Sequence, residues 1–78
     1  MKTVQIKLSD IGHIRDLPGL LAKHLVELDL QQGRYIINAK SPMGIYALDL
    51  LNPIDFIIRS EDDGIINAVL ADIKQWIV

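Results

Sequence analysis

The sequence predicts an α+β domain in which a four-stranded antiparallel sheet is covered on one face by three helices, in the order β-α-β-β-α-β-α. Three observations predict it. Short runs near the start, in the middle and around residue 56 alternate polar with apolar side chains, the period of a strand with one face buried. The stretches between them repeat apolar residues every three or four positions, the period of an amphipathic helix. At 78 residues without a cysteine, the chain has room for one domain, residues 1–78, held by hydrophobic burial alone. Helices gathered on one face of such a sheet leave the other face open to water, an open-faced β-sandwich.

The elements are justified in order. Val4, Ile6 and Leu8 fall on one face and Thr3, Gln5 and Lys7 on the other, so the first strand is Lys2 to Leu8. Ser9 or Asp10 caps a helix whose stripe is Ile11, Ile14, Leu17, Leu21, Leu25 and Leu28. Pro18 leaves two arrangements open: the helix starts near Asp16, where a first-turn proline is harmless, or it is kinked at Pro18. Leu28 and Leu30 alternate with Asp29 and Gln31, Gln32-Gly33 offers a turn, and Tyr35, Ile37 and Ala39 resume the alternation as a hairpin. Ser41 followed by Pro42 is a helix start, predicting a short second helix from about Pro42 to Leu50. Asn52-Pro53 ends it. Ile54, Phe56 and Ile58 then alternate with Asp55 and Arg59 as a fourth strand, with Ile57 breaking its polar face. Ser60 and Asp63 resemble a capping box, and Glu61, Asp62 and Asp63 suit the positive end of a helix dipole. The helix that begins there runs to the C-terminus on Ile66, Val69, Leu70, Ile73 and Ile77, widened by Ile65 and Trp76, with Trp76 at the core margin. The expected core is Val4, Ile6, Leu8, Leu21, Leu25, Ile37, Phe56, Ile58, Val69, Leu70 and Ile73.

Several function classes are excluded at this level. No apolar run approaches the roughly 20 residues that span a bilayer, and the N-terminal alternation is unlike a signal peptide, so the expected compartment is the cytoplasm. A formal net charge of −2 without a basic stripe argues against nucleic acid. No cofactor is expected. His24 and Glu27, three apart on a helical face, with His13 and Asp16, come nearest to a metal site, but they supply no fixed set of ligands, and no metal is predicted.

The element order, with Ala39-Lys40-Ser41-Pro42-Met43-Gly44-Ile45-Tyr46-Ala47-Leu48 at the entry to the second helix, resembles the HPr phosphocarrier family of the sugar phosphotransferase system. The resemblance spans nearly the whole chain. Lys40-Ser41 followed by Met43-Gly44 is its most specific part, and it implies that Ser41 is the serine that a regulatory kinase phosphorylates. Met43, Ile45 and Tyr46 are core or rim residues, or else Lys40, Met43 and Tyr46 form a docking face for protein partners beside that serine. The family's second site is a histidine in a Gly-x-His-x-Arg-Pro motif. His13-Ile14-Arg15 keeps the His-x-Arg spacing, but Gly12 sits one residue too close and Asp16 takes the proline position. Aligning Pro18 instead puts Arg15 at the histidine position and Leu17 at the arginine position. A phosphocarrier imidazole attacks as the neutral ring, and helix amides and a cation hold the product, which a carboxylate at residue 16 opposes.

The readings therefore stand side by side. Ser41 is a phosphosite at the centre of a regulatory binding module, or it only caps a helix, a role that contributes about 1 kcal/mol. His13 with Arg15 relays a phosphoryl group, or His13 is an ordinary residue of a helix start. A homo-oligomer through the open sheet face has Ile57 as its only support.

Overall fold

The computed structural model describes residues 1–8 and 10–78; Ser9, one of the two candidate caps, and the side chain of Ile11 lie outside the described part. Strand β1 (Lys2–Ile6), helix α1 (Ile11–Leu21), strands β2 (Leu28–Gln32) and β3 (Tyr35–Asn38), helix α2 (Pro42–Ile45), strand β4 (Ile54–Ile58) and helix α3 (Asp63–Ile73) follow in the expected order. The four strands form one sheet in the order β1-β4-β2-β3, with every neighbouring pair antiparallel. Phe56 lies opposite Val4 on one side and Leu30 on the other. Strand side chains alternate between faces, so this register puts Ile6, Leu28, Leu30, Ile54, Phe56 and Ile58 on a single face. They share one core with Leu17 and Leu21 of α1, Ile45 of α2, and Val69 and Ile73 of α3.

The opposite face carries Thr3, Gln5, Asp29, Gln31 and Asp55. Ile57 stands among them, between Thr3 and Asp29 on the neighbouring strands, yet it is only 6% exposed. Ile57, the residue that suggested an oligomer through this face, is thus already covered within the chain, whereas Ile36, opposite Gln31 on the same face, is 56% exposed. The hairpin turn falls at Gly33-Arg34, one residue later than expected, and Gly33 adopts φ 59°, a value that suits a two-residue turn and costs only glycine nothing.

Helix α1 departs from expectation at both ends. Asp10 caps it by accepting the Gly12 N–H at 2.6 Å, and the helix runs from Ile11 with Pro18 inside it, so the later start near Asp16 is not adopted. It stops at Leu21, where the Ala22 N–H reaches the Pro18 carbonyl and the His24 N–H reaches the Leu21 carbonyl, each at 3.0 Å. The stripe continued in sequence to Leu28, but Leu28 pairs with Ile58 in the sheet and is buried there. Leu25, an expected core residue, consequently lies in the loop of residues 22–27 and is fully exposed.

Helix α2 is one turn, not the expected run to Leu50. The Ala47 and Leu48 N–H groups close tight turns on Gly44 and Ile45, and Asp49 diverts the chain by accepting the Leu51 N–H at 3.0 Å. Gln32 locks that detour: its side-chain amide donates to the Asp49 carbonyl at 2.8 Å and accepts the Asp49 N–H at 2.7 Å, as a backbone peptide does. At the start of α3 the cap is Asp62, whose Oδ1 accepts the Gly64 and Ile65 N–H groups, while Ser60 Oγ accepts the Asp62 N–H. The carboxylate takes the position because it satisfies two orphan donors and its charge faces the positive end of the dipole.

The last helix also ends early. A 3-10 turn, Lys74–Trp76, follows α3, and the chain then extends along the outer edge of β1, bridging Ile77 to Ile6 and donating the Val78 N–H to the Gln5 carbonyl at 3.0 Å. Pairing there satisfies backbone groups that an edge strand otherwise leaves to water. Trp76 is not marginal but buried in the core. Val4, Ile37 and Leu70 pack against the core half-buried, while Ile14, Leu17, Leu28, Leu30, Ile45, Leu48 and Ile54 join it in full. Among the described residues no helix is long and apolar enough to cross a membrane.

Candidate functional site

The end of β3 and the single turn of α2 present Ser41. Asn38 shapes the junction: its side chain accepts the Lys40 N–H at 2.8 Å and its carbonyl accepts the Ser41 N–H at 3.0 Å. Ser41 then caps α2 with extended backbone, and Pro42 stands at the first helical position with its fixed φ. The cap is weak, because Ser41 Oγ accepts the Gly44 N–H only at 3.4 Å. Gly44 fits closely: a Cβ there would stand 3.1–3.2 Å from the side chain of Ile37, so the turn lies directly on β3.

Around the half-buried serine, Met43 is 81% and Tyr46 57% exposed, two large apolar side chains in water within one turn. Ile45, between them in sequence, is fully buried and anchors the turn to the core. Lys40 is placed differently. It is half-buried, and its ammonium donates to the carbonyl of His24 across to the loop after α1, so it must let go before it meets a partner's charge.

His13 belongs to the first turn of α1. Its ring meets Trp76 edge-on, with centroids 5.6 Å apart and planes at 63°. The Nδ1 of His13 and the Nε1 of Trp76 are both buried without a hydrogen-bond partner among the described residues. The helix end beside it already holds a carboxylate, that of Asp10 on the Gly12 amide. Arg15 and Asp16 are exposed and form no ion pair among the described residues. Ser41, Met43 and Tyr46 are therefore gathered on one turn, whereas His13 and Arg15 are parted, one against the core and the other in water.

Sequence reasoning missed the strongest polar constellation in the chain. His24 Nε2 stands 2.6 Å from Asp72 Oδ2, and Lys23 Nζ approaches the same oxygen at 3.2 Å. The hydrogen bond from His24, and next that from Lys23, hold the Asp72 carboxyl below the usual carboxylate range, against a smaller opposing push from burial. Helical spacing had coupled His24 to Glu27, but α1 ends before either residue. The true partner is 48 positions away on α3, where no local pattern singles out one aspartate. Among the described residues no three His, Asp or Glu side chains gather as a metal-ligand set. No protein-family model, curated protein or solved structure matches the chain.

Proposed function

We propose that the chain is an HPr-like regulatory binding module of the phosphotransferase type, an open-faced β-sandwich that docks on a protein partner through the α2 turn and is controlled by phosphorylation of Ser41. The observation that carries this reading is the exposed pair Met43 and Tyr46 beside a serine whose hydroxyl, among the described residues, is held by a single 3.4 Å hydrogen bond. Large apolar side chains left in water mark interaction surfaces when they cluster at a site that can be switched. The element order and the four-stranded antiparallel sheet are compatible with the resemblance.

Phosphate on Ser41 adds about −1.5 to −2 charges at the start of a helical turn, where orphan amides tolerate it, so the switch works by changing the surface rather than by refolding it. A partner with an Arg or Lys facing Ser41 and an apolar groove for Met43 and Tyr46 reads the change through charge-assisted hydrogen bonds. His13 and Arg15 have no part in this reading: Nδ1 of His13 is buried without a hydrogen-bond partner among the described residues, and the Gly12 amide at that helix end is taken by Asp10.

Incubation of wild type and Ser41→Ala with ATP and a regulatory HPr serine kinase tests it. One phosphate is expected on the wild type and none on the variant, and Ser41→Asp should change partner capture from cytosol in a salt-sensitive way. If wild type takes no phosphate and wild type, Ser41→Ala and Ser41→Asp recover the same proteins, Ser41 is a helix cap and nothing more.

A further inference from the structure

The two edges of the sheet are finished differently. Ile77 and Val78 pair along the outer edge of β1, whereas among the described residues no strand pairs with the outer edge of β3. The phase of the β2–β3 ladder shows which backbone groups that edge holds. The Ala39 N–H donates to the Leu28 carbonyl at 2.8 Å, and in an antiparallel pair inward and outward residues alternate. Tyr35 and Ile37 therefore bond inward to β2, and the N–H groups of Ile36 and Asn38 point outward with the carbonyls of Arg34, Ile36 and Asn38. The Asn38 carbonyl already accepts the Ser41 N–H at 3.0 Å. Left unspent are the donors of Ile36 and Asn38 and the acceptors of Arg34 and Ile36. The side chains do not guard this edge. Tyr35-Ile36-Ile37-Asn38 has no charge, no proline and no bulge, the devices that keep an outer strand from pairing. Tyr35 is 62% and Ile36 56% exposed.

We propose that β3 pairs antiparallel with β3 of a second copy of the chain, about a two-fold axis at Ile36, making one continuous sheet across the dimer. The inference does not rest on phosphorylation of Ser41. In this register each Ile36 N–H donates to the Ile36 carbonyl of the other copy, and each Asn38 N–H donates to the Arg34 carbonyl of the other copy. Every unspent group is used, and the Asn38 carbonyl stays with Ser41. An axis at Ile37 instead sends the Ile36 N–H to that occupied carbonyl, and an axis at Tyr35 carries the Asn38 N–H past the other copy's turn. A strand whose donors and acceptors complement themselves in this way suits an isologous contact. The side chains agree. The two Ile36 residues meet on the open face, and each Tyr35 stands opposite an Ile37, an aromatic and β-branched pair of the kind that stabilises neighbouring strands. Charge agrees as well: Arg34 is exposed and in no ion pair among the described residues, and it comes opposite Asn38 of the second copy, whose neighbour on β2 is the carboxylate of Asp29. A strand of four residues is a small contact beside the roughly 1,200–2,000 Å² of stable complexes, so the dimer is a reversible one.

Sedimentation equilibrium and amide exchange of the wild type, in a concentration series up to about 1 mM, provide the test. The chain should pass reversibly from monomer to dimer, and exchange at the Ile36 and Asn38 amides should slow as the dimer fraction rises. Ile36→Lys sets two ammonium groups against each other at the axis and should weaken association at least roughly tenfold. Leu51→Lys makes the same change of charge at a site that is 83% exposed and away from this edge, so it should associate as wild type does. A wild type that stays monomeric at the top of the series, as it does if the edge serves a strand of another protein, overturns the proposal. So does a dimer that Ile36→Lys leaves intact, association lost equally in Leu51→Lys, or a dimer in which the Ile36 and Asn38 amides still exchange freely.

Discussion

The first turn of α1 and the loop that follows the same helix each hold a histidine, and they treat it in opposite ways. His13 keeps the His-x-Arg spacing of the phosphocarrier motif, yet its Nδ1 is buried against Trp76 with no partner among the described residues. His24 belongs to no motif, yet one nitrogen is held by a carboxylate and the ring opens on a cleft. The difference teaches that the chemistry of an imidazole is set by what holds its second nitrogen, and that a motif is only a means of supplying such a partner.

The largest expected effect is on the His13 side. Trp76→Ala removes the indole on which the ring rests and should cost about 3–5 kcal/mol in urea unfolding, a large share of the stability of a domain this size. Trp76→Phe keeps an aromatic ring and removes the N–H, unpartnered among the described residues, together with the five-membered ring, so it should cost no more than about 1 kcal/mol beyond the lost ring volume. Equal losses from both substitutions would mean that the indole N–H has a partner, and the contrast between the two histidines would fail.

A smaller effect is expected on the other side. Asp72→Ala strands the half-buried imidazole of His24 and should cost about 1–3 kcal/mol, the range for a hydrogen bond to a charged group. Amide exchange should quicken in residues 22–27 and stay unchanged at the first turn of α1. Equal quickening at both places would show that the two regions open together.

The mildest test is acid. Because His24 and Lys23 depress the Asp72 carboxyl in the fold, the unfolded chain binds its proton first as pH falls. The associated stability is complete above the ordinary carboxylate value of about 3.9 and drains away as pH drops through the lower folded value. Thermal unfolding followed from about pH 6 to about pH 2 should show a steeper acid limb in wild type than in Asp72→Asn. Parallel limbs would place the source of acid sensitivity elsewhere.

Much of the fold was legible from local pattern. The alternation in Lys2–Ile6 and Ile54–Ile58 and the stripe of α3 all form as their periods require. The failures share a cause. Leu25 and Leu28 continue the period of α1, and no residue there marks its end; only the pairing of Leu28 with Ile58 decides it. Likewise the chain after α2 is diverted where the Gln32 side chain grips the Asp49 backbone, a contact across 17 positions. The serine, its proline and the exposed Met43 are neighbours in sequence and could be found together. His24 and Asp72 become neighbours only once α3 packs on the rest of the molecule.

The sheet order has a consequence for how the chain is made. β1 comes first in sequence, but its partners are β4 on one edge and residues Ile77 and Val78 on the other. Emerging from a ribosome, the first strand has nothing to pair with until most of the chain has been synthesised, while the β2–β3 hairpin is free to close as soon as it appears. Pairing across such separations carries the entropy of closing nearly the whole chain into a loop, so assembly is slower than in a helical domain of equal length. Until then an unpaired Val4-Gln5-Ile6 segment waits in the open, the stretch that a chaperone or an aggregating neighbour would meet first.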